Sequence, residues 1–308
     1  GELLRRPALE NGAFRSDYVE GEKHNLISTI ESELNDKRAY ANTRMLRNMC
    51  RADSFGIPRL GEVEDVAAIT PQGLYSHYRK ILKESPIELF YVGSAPAEEV
   101  AAHAAEMFRG LDRSYVNRLS QTPFRDGGGS RQTEEMDVAQ GKLCMGFTTP
   151  ITIGHPLFAP MQVCNAMFGA GMTSKLFMVI REQMSLCYSI GSGYYGSKGI
   201  LTVSAGIDSH MDREVEQQVL RQLECCKNGE FTPEELENAR QSILSGLESV
   251  HDSPGTIESY YAVSALSGQT MTPAEYIRAI EAVTAAEVAQ AAKTLALHTV
   301  FFLKGGGK

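Results

Sequence analysis

The chain has 308 residues, 43% of them hydrophobic, with a net charge of −8 and a pI near 5.5. That length favours two domains, and the absence of any run of about 18 apolar residues excludes a helical membrane span. The acidic balance excludes the basic stripe that a nucleic-acid partner requires.

Tyr18 to Arg51 has a helical pattern, interrupted near Asn35-Asp36. "ITPQGLYSHYRKIL" starts a helix with Thr70 as N-cap and Pro71 at the first position; Leu74, Tyr75, Tyr78 and Leu82 share one face. "PIELFYVGSA" reads as a short buried strand, and an alanine-rich helix runs from Ala97 to about Arg109. Leu111 to Arg131 lacks periodicity, holds Asp126-Gly127-Gly128-Gly129-Ser130, and reads as an interdomain linker. "EMDVAQGKLCMGFTT" then reads as strands, followed by a helix from Pro156 to about Phe168.

"SKLFMVIREQMSLCYSIGSGYYG", Ser174 to Gly196, passes from a helical to a strand pattern with almost no loop. Arg181 closes the helix and Tyr188 opens the strand. A hairpin turns at Gly196-Ser197-Lys198-Gly199, and Leu201, Val203, Ala205 and Ile207 alternate with Thr202, Ser204 and Gly206, predicting one buried face. Met211 to Asn228 is an amphipathic helix stopped by Gly229. Thr232, Thr272 and Thr284 each precede a glutamate by three residues, the capping-box spacing.

Two tails share one plan. "AITPQGLYSHYRKILKESPIELFYVG" and "AVTAAEVAQAAKTLALHTVFFLKG" each run from a Thr-capped helix to an apolar segment and a glycine, about 210 residues apart. This predicts an internal duplication whose first copy lacks about 80 residues at its start, so that Gly1 falls inside the pattern. The boundaries follow: a partial first domain over 1–109, a Gly-rich linker over 110–131, and a complete second domain over 132–308. The fold class is α+β, two similar halves, each an antiparallel sheet covered by helices on one face.

Several motifs carry no chemistry. "GAGMTSK" (Gly169–Lys175) lacks phosphate-loop spacing and reads as a helix C-cap followed by Thr173 as the next N-cap. "HAAEM" (His103–Met107) offers one histidine on a solvated helix face. The six cysteines form no CxxC pair and read as small hydrophobes in a reducing compartment, with a cytoplasmic location expected.

Arg181 and Tyr188 have a structural and a functional reading. An arginine at a helix end often pairs with a carboxylate, and a tyrosine often packs in a sheet. Alternatively, five fixed guanidinium donors and a phenol on a rigid ring, facing a cleft, could grip a peptide carbonyl and its developing oxyanion.

Ser174, Leu176, Phe177, Arg181, Glu182, Leu186 and Tyr188 fit the pattern SxLFxxxRExxxLxY. In this the chain resembles the pitrilysin/insulinase metallopeptidases, the inverzincins, and over nearly its whole length the bacterial two-domain members. "NDKRAYANTRM" (Asn35–Met45) and "MGFTTPIT" (Met145–Thr152) resemble the branch near the processing proteins of antilisterial-peptide operons. The resemblance implies that Arg181 and Tyr188 bind substrate and stabilise the transition state. It also implies a zinc site in the first domain, from HxxEH and a glutamate in a Glu-x6-Glu helix. This sequence has no HxxEH, and the residue seven after Glu22 is Thr29. Seven residues return to the same helix face, whereas Glu31 points to the opposite one. The expectation is therefore a half-site protein: no metal or cofactor in this chain, zinc on an HxxEH-bearing homologous subunit (or self-association), and an extended peptide as substrate. The alternatives are a non-enzymatic assembly member of the family and a self-contained zinc peptidase whose site lies in the missing segment.

Overall fold

Local chemistry sets several helix ends. Thr232, Thr272 and Thr284 each accept the N–H of the glutamate three residues on, and each glutamate returns the bond to the threonine N–H. Thr70 accepts from Gly73 N, and Gly229, at φ 74°, stops its helix in the left-handed region. Asp36 ends one helix and caps the next by accepting from Arg38 N and Ala39 N.

The computed structural model describes residues 2–114 and 124–305. Along the first stretch lie α1 (Glu2–Arg5), the two-residue strands β1 (Leu9–Glu10) and β2 (Ala13–Phe14), α2 (Ser16–Ser32), α3 (Lys37–Met49), α4 (Val63–Ala67), α5 (Pro71–Glu84) and α6 (Ala97–Phe108). The second stretch opens with β3 (Ser130–Met136), β4 (Gly141–Thr148), α7 (Phe158–Phe168) and a π-helix (Leu176–Gln183). The hairpin β5 (Ser189–Tyr195) and β6 (Ile200–Ile207) follows, then α8 (Asp212–Asn228) and α9 (Pro233–Glu248). The chain continues through α10 (Pro254–Ser267), α11 (Pro273–Glu281) and α12 (Ala285–Lys293) to β7 (Ala296–Gly305). Of the stretch read as a linker, 115–123 lies outside the described residues, and Ser130 and Arg131 already belong to β3.

The chain divides into two compact units, one within residues 1–34, 58–120 and 253–262, the other within 35–57, 121–252 and 263–308. In the first, α2 packs on α4, and the Phe14 ring meets Tyr75 and Tyr78 edge-on at 5.3 and 5.5 Å. The strand expected in "PIELFYVGSA" does not form. A strand needs a hydrogen-bonded neighbour, and no described strand pairs with residues 86–95, which leaves Ile87, Leu89 and Tyr91 exposed.

The second unit holds a five-stranded sheet in the order β3-β7-β4-β6-β5. Its inner pairs are antiparallel, as expected, but β3 runs parallel to β7. A parallel pair needs a long crossover, and here the chain between Met136 and Ala296 supplies it. The sheet is also buried on both faces rather than one. Cys144, Ile200, Phe301 and Leu303 pack under Ala41, Met45 and Met49 of α3. Leu143, Met145, Phe147, Leu201 and Val203, which alternation turns to the other face, are buried as well. Residues 35–57, read from the sequence as part of the first half, thus pack within the second unit and roof its sheet.

One buried carboxylate fastens that roof. Asp53 lies just beyond α3, and both its oxygens are 3.0 Å from Lys198 Nζ in the β5–β6 turn. It also accepts from Phe55 N at 2.8 Å and Arg125 N at 3.2 Å. Burial pushes this carboxyl up, but the backbone N–H of Phe55 and the Lys198 ammonium outweigh it and hold it below the usual range. The six cysteines are free, and burial raises their thiols, Cys144 to about 11 and Cys226 to about 12.

Because Asp53 titrates lower in the folded chain than unfolded, its stabilisation is present above the ordinary aspartate range and is lost as pH falls through the folded value. Asp53→Asn should cost about 3 kcal/mol at pH 7 by urea denaturation. It should also flatten the acid limb of the stability curve; an unchanged acid limb would contradict this account.

Candidate functional site at a helix-to-strand corner

Arg181 lies in the last turn of the π-helix, whose buried side is Leu176 and Ile180. Ser174, not Thr173 as expected, supplies the hydroxyl at the helix start, accepting from Phe177 N at 3.4 Å. Lys175 is buried and paired with Glu235 at 2.7 Å, which ties this end to α9. The π-character is explicit at the other end, where Met184 N donates to Val179 O at 2.9 Å, five residues back. Ser185 adopts φ 54°, a left-handed residue that terminates helices. Its N–H reaches Arg181 O at 3.1 Å, and Leu186 N reaches Ile180 O at 3.0 Å. The chain then joins the sheet, with Tyr188 N donating to Gly206 O at 2.8 Å.

The corner offers two polar side chains. The Arg181 guanidinium sits 4.5 Å from the Phe177 ring centroid, a cation–π stack that fixes its plane. Its carboxylate contact is with its neighbour Glu182 at 3.5 Å, both side chains being well exposed. This is the helix-end carboxylate pairing of the structural reading, but among the described residues it is long and exposed, so both readings of Arg181 remain open. Tyr188 is 53% exposed, and its hydroxyl donates to Asp208 Oδ1 at 2.9 Å. That bond and the Asp208 charge raise the phenol above its ordinary value. Burial pushes the intervening Cys187 thiol to about 11, and the Arg181 charge offsets part of that rise. Arg181 and Tyr188 thus share one corner but have different partners. Asp208 and Phe177 are the residues that sequence reasoning missed as supports. Asp208 follows β6, and only the hairpin register carries it to Tyr188.

Beside the corner lies a cleft of about 730 Å³ between α3 and the β5 edge. Phe177 lines one end of it, Arg38 and Asn42 form a wall, and Gly191 and Gly193 lie in its floor.

A family model described as the peptidase M16 inactive domain matches residues 68–243. The chain belongs to the M16 peptidase family. The probable inactive metalloprotease YmfF of Bacillus subtilis is 31% identical over 306 residues, across 99% of this chain and 71% of that protein. The crystal structure of a conserved protein from Enterococcus faecalis superposes with a TM-score of 0.90 at 28% identity, covering 100% of this chain and 73% of that one. The peptidase M16 inactive domain from Pseudomonas fluorescens shares the fold, with a TM-score of 0.78 at 16% identity over 96% of this chain and 72% of that one. The M16 fold expected from the SxLFxxxRExxxLxY pattern is therefore the fold of this chain, and the matched region is the family's inactive domain.

Zinc, the metal that M16 catalysis implies, does not fit the residues described. No three His, Cys, Asp or Glu side chains among them come together as a metal-binding group. In α2, Thr29 stands where the third ligand is expected, and its hydroxyl donates to Asn25 O at 2.8 Å within its own helix. A back-bonded threonine on an exposed helix face is a poor zinc donor.

Replacing Asp208 with asparagine removes the charge that holds the Tyr188 proton. Ultraviolet titration, with Tyr188→Phe as the subtraction standard, should show one phenol moving to lower pH in Asp208→Asn. No movement would mean that the 2.9 Å bond does not persist in solution.

Proposed function

We propose that this M16 chain is the Arg/Tyr-bearing, non-zinc-binding subunit of a zinc metalloendopeptidase, acting with a homologous HxxEH-bearing subunit on extended peptides. One observation carries the reading: Arg181 is stacked on Phe177, and among the described residues its ion pair is with an exposed neighbouring glutamate at 3.5 Å. Its guanidinium is oriented and its remaining donors are open to a ligand. A carbonyl oxygen that gains charge as a peptide bond is attacked needs such donors fixed in advance. Tyr188 supplies a second donor on a rigid ring; its proton, now on the Asp208 bond, can turn toward the same oxygen.

In this reading the nucleophile comes from the partner's metal site, and this chain supplies donors to the carbonyl oxygen. The work of this subunit is to bind, orient and polarise. The β5 edge beside the corner suits an extended peptide, since strand addition recognises backbone and tolerates varied side chains. The inactive-domain match and the relative named as a probable inactive metalloprotease support a chain that does not cleave alone. Among the described residues no helix is long and apolar enough to cross a membrane. Six free cysteines suit a reducing compartment, and we assign the cytoplasm.

Arg181→Ala, assayed as the complex with an HxxEH-bearing subunit, should lower turnover by about 10²- to 10³-fold. Its thermal midpoint should stay within about 1 °C, because the side chain is substantially exposed. An unchanged turnover would overturn the half-site reading and leave the assembly role in its place.

A further inference from the structure

We propose that the cleft between α3 and the β5 edge is a binding site for a carboxylate carried on an extended peptide, a site that rests on the proposed function only for the ligand being a peptide. The floor is open because of what is absent from it. Strand pairing sets Gly191 beside Ser204 and Gly193 beside Thr202. A β-carbon at Gly193 would meet only Thr202 Oγ1, at 3.6 Å, and one at Gly191 only Gly169 O, at 3.4 Å. Both are ordinary contacts, so packing does not demand glycine, and strand propensity disfavours it. The effect of the two glycines is to leave about 730 Å³ of cleft above the sheet, deep enough for a peptide backbone to lie against it.

The wall carries matching polarity. Asn42 lines the wall as a residue, with its Oδ1 turned away from solvent. Arg38 lies four residues earlier on the same helix face and has no ion pair or side-chain hydrogen bond among the described residues. Lys142 stands outside the cleft lining on the same sheet face, two residues from Cys144, whose sulfur lies 3.7 Å from Ser204 Oγ in the floor. Lys142 itself donates to the neutral Gln140 Oε1 at 3.3 Å. Among the described residues lining the cleft the acid is Asp36, whose Oδ1 accepts from the first N–H groups of α3. A guanidinium on the wall complements a carboxylate, which is the chemistry of a peptide C-terminus or of an aspartate or glutamate side chain. Phe177, the ring beneath Arg181, closes the other end of the cleft, so a chain anchored at Arg38 leads toward the corner.

The test is fluorescence anisotropy with a labelled eight-residue peptide rich in valine and threonine. It is made as the free acid, as the amide, and as the amide with one internal aspartate. The purified chain should bind the free acid about tenfold more tightly than the plain amide. Equal affinity for the plain amide and both carboxylate forms would overturn the site. A gain for the free acid alone identifies a C-terminus as the ligand; a gain for the internal aspartate identifies an acidic side chain, and either supports the site. Arg38→Gln should abolish the difference, and its persistence would place the carboxylate elsewhere. Gly193→Val should fill the floor and lose binding of every form while leaving the thermal midpoint unchanged or higher; retained binding would overturn the site. Arg181→Ala should keep the acid-to-amide ratio. Loss of that ratio in wild type with Arg181-dependent turnover intact rejects the cleft alone. The ratio intact without Arg181-dependent turnover rejects the half-site reading alone.

Discussion

The Asp53 carboxylate is the point on which the second unit turns. It joins three segments far apart in the chain: the loop after α3, the approach to β3 at Arg125, and the β5–β6 turn at Lys198. A buried carboxylate is costly unless its oxygens are occupied, and here backbone N–H groups and an ammonium occupy both. This arrangement sets where α3 can lie. With α3 fixed, Met45 and Met49 seal one sheet face, and the opposite end of the same helix becomes a cleft wall. Structure and recognition are therefore served by successive turns of one helix.

The corner solves a different problem. An arginine side chain is long and costs about 2 kcal/mol of rotamer entropy to hold in one place. Stacking on Phe177 meets part of that cost without consuming the hydrogen-bond donors, which a tight salt bridge would do. Tyr188 needs no such stack, because its ring is rigid and the Asp208 bond orients the hydroxyl. The two groups are thus held by unlike means, a ring stack for one and a carboxylate for the other.

Much of this was legible in the sequence where the cause is local. The capping threonines at 232, 272 and 284, the Gly229 stop, the hairpin turn and the corner between Arg181 and Tyr188 all follow from residues within a few positions of one another. What escaped was set at long range. A helix of mixed polarity such as α3 carries no mark of which sheet it will cover. Its membership of the second unit comes from packing against residues more than 90 positions away. The parallel partner of β3 and the two-sided burial of β4 and β6 are likewise properties of the assembled sheet. In the apolar segment after α5, composition favoured a strand, but hydrogen-bonded neighbours decide whether one forms. Nothing local marked Arg38 as the wall of a cleft, because the glycine floor across from it comes from a distant hairpin.

The π-helix has a consequence for how this corner can change. Each of its bonds closes over one residue more than an α-helical bond does, so the segment from Leu176 to Gln183 holds slack that a tighter helix would lack. Loss of a single residue there could be absorbed by relaxing to α-helical bonding, with Lys175 and Ser185 keeping their anchorages at either end. With both ends held, only the residues between the anchors, Arg181 among them, would be re-aimed around the axis. The guanidinium would turn off its ring while the sheet stayed whole. Helical pitch at this one turn is thus a selector, separable from fold stability, of which side chain the corner presents.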